Sequence, residues 1–480
     1  MINTSLAKKI NIICLVVAMI SVLVLPLKKD IWYDESISIL CSKGINNDSP
    51  AMLGNTATLS STTIEQMNTA PNVYKATVLD NGNGFLFNIG LHWVSLLTGN
   101  SLSAYMLLSK LCSIAALIAF FVLCNLFFKD SLFTSLAVIL LASDINFNGM
   151  SHEIRAYAMG TFFIVLAGVY FYKFMYENEK PLYLFLLGLF SVAAVLCHYF
   201  NLYVILVFLG YLLCVKKARL FSVKNLVAIM IPVMIVATYF YFSFAGFIYM
   251  SGQNKAIAQH VAISESFSIM HVIFHSMAIG AVNFRAVFPG FHENKLIVLL
   301  SFILIIGLYI AAYKSTSDKV QKRNLNLIFL LGTSGTAFLA LLCFKSGHYM
   351  AMNYRYNSFC IPFACLFTTY ALFVMFKNER INNLIKWGLF SVILFPSCIL
   401  FFTFSMRDHI FKYNQLALAT QVAREKITKI EVPYWQDAFL IQSLLPRGYK
   451  IDYILNRLSP DFILYKKDTV EKVTVIRNNL

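Results

Sequence analysis

Two adjacent carboxylates, Asp34 and Glu35, are the side chains of this sequence best suited to chemistry. They follow the first long apolar segment, residues 10–27, after a short basic stretch. A positioned carboxylate can take a proton from a hydroxyl group, while its neighbour binds a metal ion or orients the base. The pair is also typical of a helix start, in which Asp34 caps the first turn and Glu35 is favoured within it. Its position beside an apolar segment favours the catalytic interpretation.

Two arginines lie at the ends of other apolar segments. Arg155 stands between Glu153 and Tyr157 at such a boundary, where a cation is costly unless it meets an anion. Its planar donor fork suits a phosphate group, and an ion pair with Glu153 is the structural alternative. Arg355, beside Tyr356, is interpreted as a second phosphate contact or as an interfacial anchor.

Three more polar residues complete the set of candidate substrate contacts. His198 and Tyr199 lie at another turn between apolar segments, and Asp80 comes shortly before the glycines Gly82 and Gly84. A structural histidine and a plain Asn-Gly turn are the alternatives at these two places. The sequence has no P-loop, G-x-S-x-G, H-E-x-x-H or zinc-ligand spacing, so it gives no support to ATP-driven or protease mechanisms.

Composition restricts the class of protein that must position these residues. The 480 residues are 59% hydrophobic and only 13% charged, with a mean hydropathy of +0.68. Repeated apolar runs of about 18–22 residues predict an all-α polytopic membrane protein. The formal net charge of +16 lies mostly in short loops, where it sets orientation and does not indicate a nucleic-acid partner. The ten cysteines are scattered and are interpreted as buried apolar residues.

About eleven transmembrane helices are predicted from these runs. The segments are 10–27, 103–128, 131–147, 157–176, 182–197, 200–215, 225–245, 296–313, 325–343, 357–376 and 387–404. Short basic loops at 216–219, 314–323 and 377–386 belong in the cytoplasm, which places the N-terminus there as well. The candidate residues and the C-terminus then lie outside. This assignment of the loops to the two sides of the membrane requires that residues 266–292, which carry Arg285, do not cross the membrane.

Two domains are predicted. Residues 1–405 form the membrane domain, with interfacial helices in its first outer loop, 28–102, one starting near Glu35. Residues 406–480 form a small α/β extracytoplasmic domain, because charged residues return there between strand-like segments. Those segments lie at 431–432, 449–454 and 462–465.

Taken in order, the motifs resemble the GT-C superfamily of lipid-linked sugar transferases. The likeness is greatest to the branch that contains the protein O-mannosyltransferases and the lipid A aminoarabinose transferase, a branch similar to glycosyltransferase family 39. It rests on the acidic motif 32–35, the E-x-R-x-Y element 153–157, the His-Tyr turn 198–199 and the late Arg-Tyr element 355–356. One departure is clear: many relatives have His-Pro-Pro-Leu where this chain has Gly-Asn-Gly-Phe at 82–85.

The resemblance implies an inverting glycosyltransferase. Its donor would be a sugar on a polyprenyl phosphate, and its acceptor a hydroxyl of a protein, a lipid or a glycan. The basic loops and the lack of retention signals fit a bacterial inner membrane. Asp34 and Glu35 would be catalytic, and Arg155 and Arg355 would stabilise the leaving phosphate. No cofactor is implied with certainty, and a divalent metal ion on Asp34 and Glu35 stays open. The alternatives are a flippase or transporter of a lipid-linked glycan and an O-antigen-type polymerase or ligase.

Overall fold

A computed structural model gives the structure of the chain. It describes residues 4–24, 33–45, 58–67, 72–80, 82–99, 102–262, 268–286, 294–346, 354–405, 415–432, 435–446, 448–455, 462–465 and 470–473.

The described part of the chain is mainly helical. The first helices are α1 (Thr4–Val24), α2 (Tyr33–Ser42), α3 (Ser61–Met67), α4 (Val73–Leu79), α5 (Phe85–Thr98), α6 (Leu102–Phe128), α7 (Ser131–Ala142), α8 (Ile145–His152), α9 (Tyr157–Tyr172) and α10 (Pro181–Cys197). The later helices are α11 (Leu202–Leu220), α12 (Val223–Ala262), α13 (Ile269–Asn283), α14 (Lys295–Ser315), α15 (Lys319–Ser346), α16 (Ile361–Lys377), α17 (Asn383–Ser405), α18 (Gln415–Arg424) and α19 (Trp435–Leu444). Short 3₁₀ turns lie at Tyr199–Asn201 and Tyr354–Cys360.

The prediction of a polytopic helical membrane protein is confirmed. Seven described helices are long and apolar enough to cross a membrane, and an eighth crossing results if α7 and α8, which meet at a bend of 58°, form one span. The other predicted spans, at 10–27, 182–197 and 387–404, coincide with the apolar helices α1, α10 and α17. By length and hydropathy, the described helices thus support seven or eight of the eleven predicted spans.

Helix α13 lies in the stretch predicted not to cross. It has 15 residues, which span about 22 Å, less than the roughly 30 Å of a bilayer core. Residues 266–267 and 287–292 of that stretch lie outside the described residues. The absence of a crossing there stays a prediction.

Helix α16 is the centre of the bundle. Almost all of its residues are buried, and it packs against α6, α7, α14, α15 and α17. Phenylalanines from several helices meet on it, as in the edge-to-face contact of Phe133 with Phe373. The turn that precedes α16 carries Arg355, so the most enclosed helix also positions a candidate residue.

The C-terminal tail forms a five-stranded sheet that includes a strand from the loop at residues 28–102. The strands are β1 (Thr58–Ser60), β2 (Lys429–Val432), β3 (Asp452–Leu455), β4 (Phe462–Tyr465) and β5 (Val470–Val473), in the order β1-β3-β2-β4-β5. Only the pairing of β2 with β3 is parallel among the described strands. Since β1 pairs with β3, the tail lies on the same side of the membrane as the loop.

Helix α2 joins the sheet to the membrane bundle. Its Leu40 is buried in the core of the sheet beside Leu59 and Tyr453. The neighbouring Ile39 packs in a different cluster with Phe87 of α5. Burying apolar side chains on both sides fixes the orientation of this short helix, which would be marginal alone. The helix that carries the two adjacent carboxylates is therefore held between two packed units.

Candidate active site

The two adjacent carboxylates of α2 have different surroundings. Glu35 is fully buried, and its Oε1 accepts a hydrogen bond from the Ile154 N–H at 2.6 Å. The Asp34 side chain is 34% exposed, and its Oδ2 lies 3.9 Å from Arg355 Nη1. Glu35 therefore ties α2 to the segment between α8 and α9, while Asp34 stays accessible to a substrate.

Arg155 lies in the short irregular segment between α8 and α9. Its Nη1 donates to the backbone oxygen of Asp34 at 3.0 Å and to Ser38 Oγ at 3.2 Å. Burial lowers the pKa of Arg155, and the neighbouring Tyr157, Asp34 and Asp80 raise it by more, so the guanidinium stays charged. Arg155 thus places a fixed cation beside Asp34.

Glu153 does not pair with Arg155 among the described residues. Its backbone oxygen accepts a hydrogen bond from Ser109 Oγ at 2.5 Å. Its Oε2 is buried and has no hydrogen-bond partner in the described part of the chain. A buried carboxylate oxygen without a donor is costly, so this atom is suited to accept a hydrogen bond from a ligand.

Asp80 ends helix α4 and faces the same cluster. Its N–H bonds to the Ala76 and Thr77 carbonyls, both at 3.1 Å, and the tight turn that follows requires positive φ angles of 66° at Gly82 and 79° at Gly84. Burial raises the pKa of Asp80 to about 6, Arg155 lowers it and Asp34 raises it further. Within the described residues its carboxylate accepts no hydrogen bond.

His198 is a buried, neutral histidine beside this cluster. Its Nδ1 accepts a hydrogen bond from the Phe200 N–H at 3.3 Å, so the proton of the neutral ring lies on Nε2. The ring lies 5.1 Å from that of Tyr157 and 5.4 Å from that of Phe359, between centroids. Burial, and secondly the charge of Arg155, lower its pKa to about 3. His198 can therefore donate a hydrogen bond without carrying charge.

Tyr199 and Arg355 complete the arrangement. The Tyr199 N–H donates to Asn83 Oδ1 at 3.2 Å, which joins the His-Tyr turn to the turn after Asp80. The turn that carries Arg355 is held by a hydrogen bond from Tyr203 Oη to the Tyr356 carbonyl at 2.7 Å. All of the sequence-predicted site residues are brought together at this end of the bundle: Asp34, Glu35, Asp80, Glu153, Arg155, Tyr157, His198, Tyr199 and Arg355.

Several supporting residues were not predicted from the sequence. Ser38 stands one helical turn after Asp34 on α2, so helical spacing would have found it. Asn83 belongs to the predicted turn, but its bond to Tyr199 joins distant segments. Tyr239 of α12 donates from its Oη to the Gly82 carbonyl at 3.0 Å. A tyrosine in an apolar helix gives no local signal of such a contact.

The predicted metal ligands do not face a common point. Asp34 is directed toward Arg355, and Glu35 toward the Ile154 amide. The described residues contain no group of three or more His, Cys, Asp or Glu that could hold a metal ion. Two arginines beside Asp34 also oppose a divalent cation. The pair does not fit a metal site, and no step below uses one.

An apolar groove of about 450 Å³ lies between α10, α11 and α12 and reaches the candidate site at Tyr199. Leu209 and Val236 line its walls. The helices α10 and α12 pack closely because Gly188 has no side chain: a Cβ there would lie 2.8 Å from Pro232 Cγ. The groove thus extends along the apolar faces of these helices to the turn that carries Tyr199.

Comparisons with known proteins found similar solved structures only. No family model and no curated protein matches this chain. The archaeal oligosaccharyltransferase AglB of Archaeoglobus fulgidus, in complex with an inhibitory peptide and a dolichol-phosphate, matches at a TM-score of 0.46 and 10% identity. The match covers 94% of this chain and 64% of AglB, so the chain spans less than two thirds of that protein.

ArnT of Cupriavidus metallidurans, bound to undecaprenyl phosphate, matches at a TM-score of 0.42 and 11% identity, over 91% of this chain and 84% of ArnT. With TM-scores below 0.5, neither match assigns this chain to a family or an activity. At this identity the function has to be argued from the residues of this chain.

Proposed function

We propose that this chain is a GT-C-type glycosyltransferase that moves a sugar from a polyprenyl-phosphate donor to an acceptor hydroxyl at the outer membrane face, with inversion. The observation that carries the proposal is the position of Asp34. Its accessible carboxylate lies beside two arginines, and an apolar groove reaches Tyr199 of the same group of candidate residues. A base, cations for a leaving phosphate and a path for a lipid tail are thereby combined in one place.

Asp34 acts as the base. A hydroxyl group is a poor nucleophile until a positioned acceptor takes its proton. The backbone oxygen of Asp34 is held by Arg155, and its side chain, 34% exposed and 3.9 Å from Arg355, can turn toward a substrate. Glu35 acts as the anchor that keeps α2 against the Ile154 amide.

The arginines stabilise the leaving phosphate. As the bond to the sugar breaks, negative charge grows on the phosphate, and fixed cations lower the energy of that transition state. Arg155 and Arg355 both approach Asp34. His198 adds a neutral N–H, and Glu153 Oε2 supplies an acceptor for a sugar hydroxyl. The acceptor molecule is a protein, a lipid or a glycan that presents a hydroxyl.

The groove between α10, α11 and α12 binds the prenyl chain. Leu209 lines it and is 44% exposed, so a tryptophan there fills the groove without entering the core. We expect Leu209→Trp to lower kcat/KM for long-chain donors about tenfold, as for the loss of roughly two buried CH₂ groups. Leu206→Trp is the matched control, on the same helix, 51% exposed and outside the groove. Equal effects of both variants would contradict this assignment.

Asp80 gives the reaction a pH dependence. Its carboxyl has a pKa of about 6, so it is mostly ionised at pH 7 and mostly protonated at pH 5. If ionised Asp80 holds a sugar hydroxyl beside Arg155, kcat/KM falls about tenfold from pH 7 to pH 5. Asp80→Asn should remove this acidic limb. A pH–rate profile that keeps the limb in the variant would assign it to another group.

The experiment that tests the function uses the purified protein in proteoliposomes. Polyprenyl-phosphate hexoses and pentoses are supplied with a lipid or peptide acceptor, and release of polyprenyl phosphate is measured together with the anomeric configuration of the product. The proposal expects release that depends on an acceptor and a product of inverted configuration. A retained configuration would contradict it.

A further inference from the structure

A buried ion pair joins the bend between α7 and α8 to the end of α13. Arg285 Nη1 lies 3.3 Å from Asp144 Oδ2, and the two side chains are only 3% and 1% exposed. Arg285 Nη2 also donates to the Leu140 carbonyl at 2.9 Å. Desolvating two charges is costly, and apolar residues of similar volume often stabilise a fold as well or better. Such a pair is therefore weak evidence for stability, and its geometry indicates a different role.

Asp144 fixes the start of α8 with one oxygen and Arg285 with the other. Its Oδ1 accepts a hydrogen bond from the Phe147 N–H at 2.8 Å, which caps α8. Its Oδ2 faces Arg285. One carboxylate thus determines where α8 begins and holds that point against α13.

Arg285 is itself held firmly. Its φ of 60° is in the left-handed region, which residues other than glycine rarely adopt and which persists only where the surroundings impose it. The preceding Phe284 carbonyl accepts a hydrogen bond from Thr368 Oγ1 of the central helix α16 at 3.1 Å. Arg285 is therefore held in place relative to α16, and through the ion pair it holds Asp144 in place.

Helix α8 leads directly from this pair to the candidate site. It has 8 residues, a length of about 12 Å. At its far end, the Glu153 carbonyl is bonded to Ser109 and the Ile154 N–H to Glu35. The segment with Glu153 and Arg155 is thus fixed at the site by hydrogen bonds and at the other end of α8 by the ion pair.

We propose that Asp144 and Arg285 are positioning residues, whose buried ion pair sets the direction of α8 and thereby places Arg155 beside Asp34 for sugar transfer. The catalytic consequence rests on the proposed function. The structural claim, that the ion pair orders residues 145–155, does not rest on the proposed function.

Hydrogen exchange of the full-length protein in detergent tests the structural claim that the ion pair orders residues 145–155. Asp144→Asn keeps a capping oxygen and removes the charge, while the double variant Asp144→Asn, Arg285→Met leaves no unpaired charge. We expect exchange of amides 145–155 to quicken at least about tenfold in both, with α10 unchanged. Glu179→Gln, which breaks the partly exposed pair with Lys216, is the control. It should change the exchange neither of amides 145–155 nor of α10. Unaltered exchange at 145–155 in both Asp144 variants would overturn the inference.

Transfer kinetics test the consequence for Arg155. We expect kcat to fall about a hundredfold in the double variant even where its thermal unfolding midpoint equals that of the wild type. Adding Asp144→Asn to Arg155→Lys should lower kcat much less than adding it to the wild type, because both changes act through Arg155. Additive losses would overturn the positioning role. If exchange quickens in the variants but the wild-type protein transfers no sugar, the proposed function is refuted. The claim that the ion pair orders α8 then still stands.

Discussion

Asp34→Asn lowers the rate of sugar transfer by about 10²–10⁴-fold, the range by which a lost general base slows a reaction. The amide has the size of the carboxylate but cannot take a proton. Folding should be unchanged, since Asp34 is held through its backbone oxygen by Arg155 and its side chain is partly exposed. Transfer by the purified variant, together with its thermal unfolding midpoint, measures both expectations.

Asp130→Asn is the matched control for this substitution. Asp130 caps α7, its Oδ1 accepting hydrogen bonds from the N–H groups of Leu132 and Phe133. Asparagine caps helices about as well, so the control should keep normal transfer. Normal transfer by Asp34→Asn would remove Asp34 as the base and leave it a residue of the first turn of α2.

Arg155→Ala should lower kcat/KM for the donor by about 10²–10³-fold, because a fixed cation beside the leaving phosphate is lost. The acceptor does not carry this charge, so its kcat/KM should fall less. Arg155→Lys keeps the charge but loses the planar fork that reaches Asp34 and Ser38, and it should recover only part of the activity. Initial rates with each substrate varied in turn measure the difference.

Arg424→Ala is the control for loss of an arginine. Its side chain is 73% exposed on α18 and pairs only with Glu425 among the described residues, and such surface pairs contribute little. It should leave both kinetic constants unchanged. Equal losses for donor and acceptor in Arg155→Ala would show that Arg155 only holds α2 in place.

The membrane helices and the short helix α2 could be predicted because their signals are local. Apolar runs of sufficient length specify spans, and Asp34 with Glu35 at a segment end predicts a helix start. Most of the candidate residues were proposed for the same reason, since they stand at or near the end of an apolar segment, whereas Asp80 was proposed from its place before Gly82 and Gly84. Arg155 and His198 lie in separate motifs, yet both are close to the start of α9.

The remaining features depend on contacts between distant segments. Strand β1 is three residues in a stretch rich in Ser and Thr, and only its pairing with β3 makes it a strand. The division of roles between Asp34 and Glu35 depends on the Ile154 amide, 119 residues away in sequence. The partner of Arg285 is Asp144, in another helix pair. Side-chain period and capping signals do not encode such pairings.

The most direct test of the central claim compares cells that carry the wild-type protein with cells that carry Asp34→Asn, at equal protein levels, by mass spectrometry of extracted lipids. If Asp34 is the base of a sugar transferase, a polyprenyl phosphate bearing a hexose or pentose accumulates only in the variant, and its mass shows which of these two classes of sugar is transferred. If no such lipid accumulates, the chain does not consume a polyprenyl-phosphate sugar through Asp34, and transport or polymerisation of a lipid-linked glycan becomes the better account.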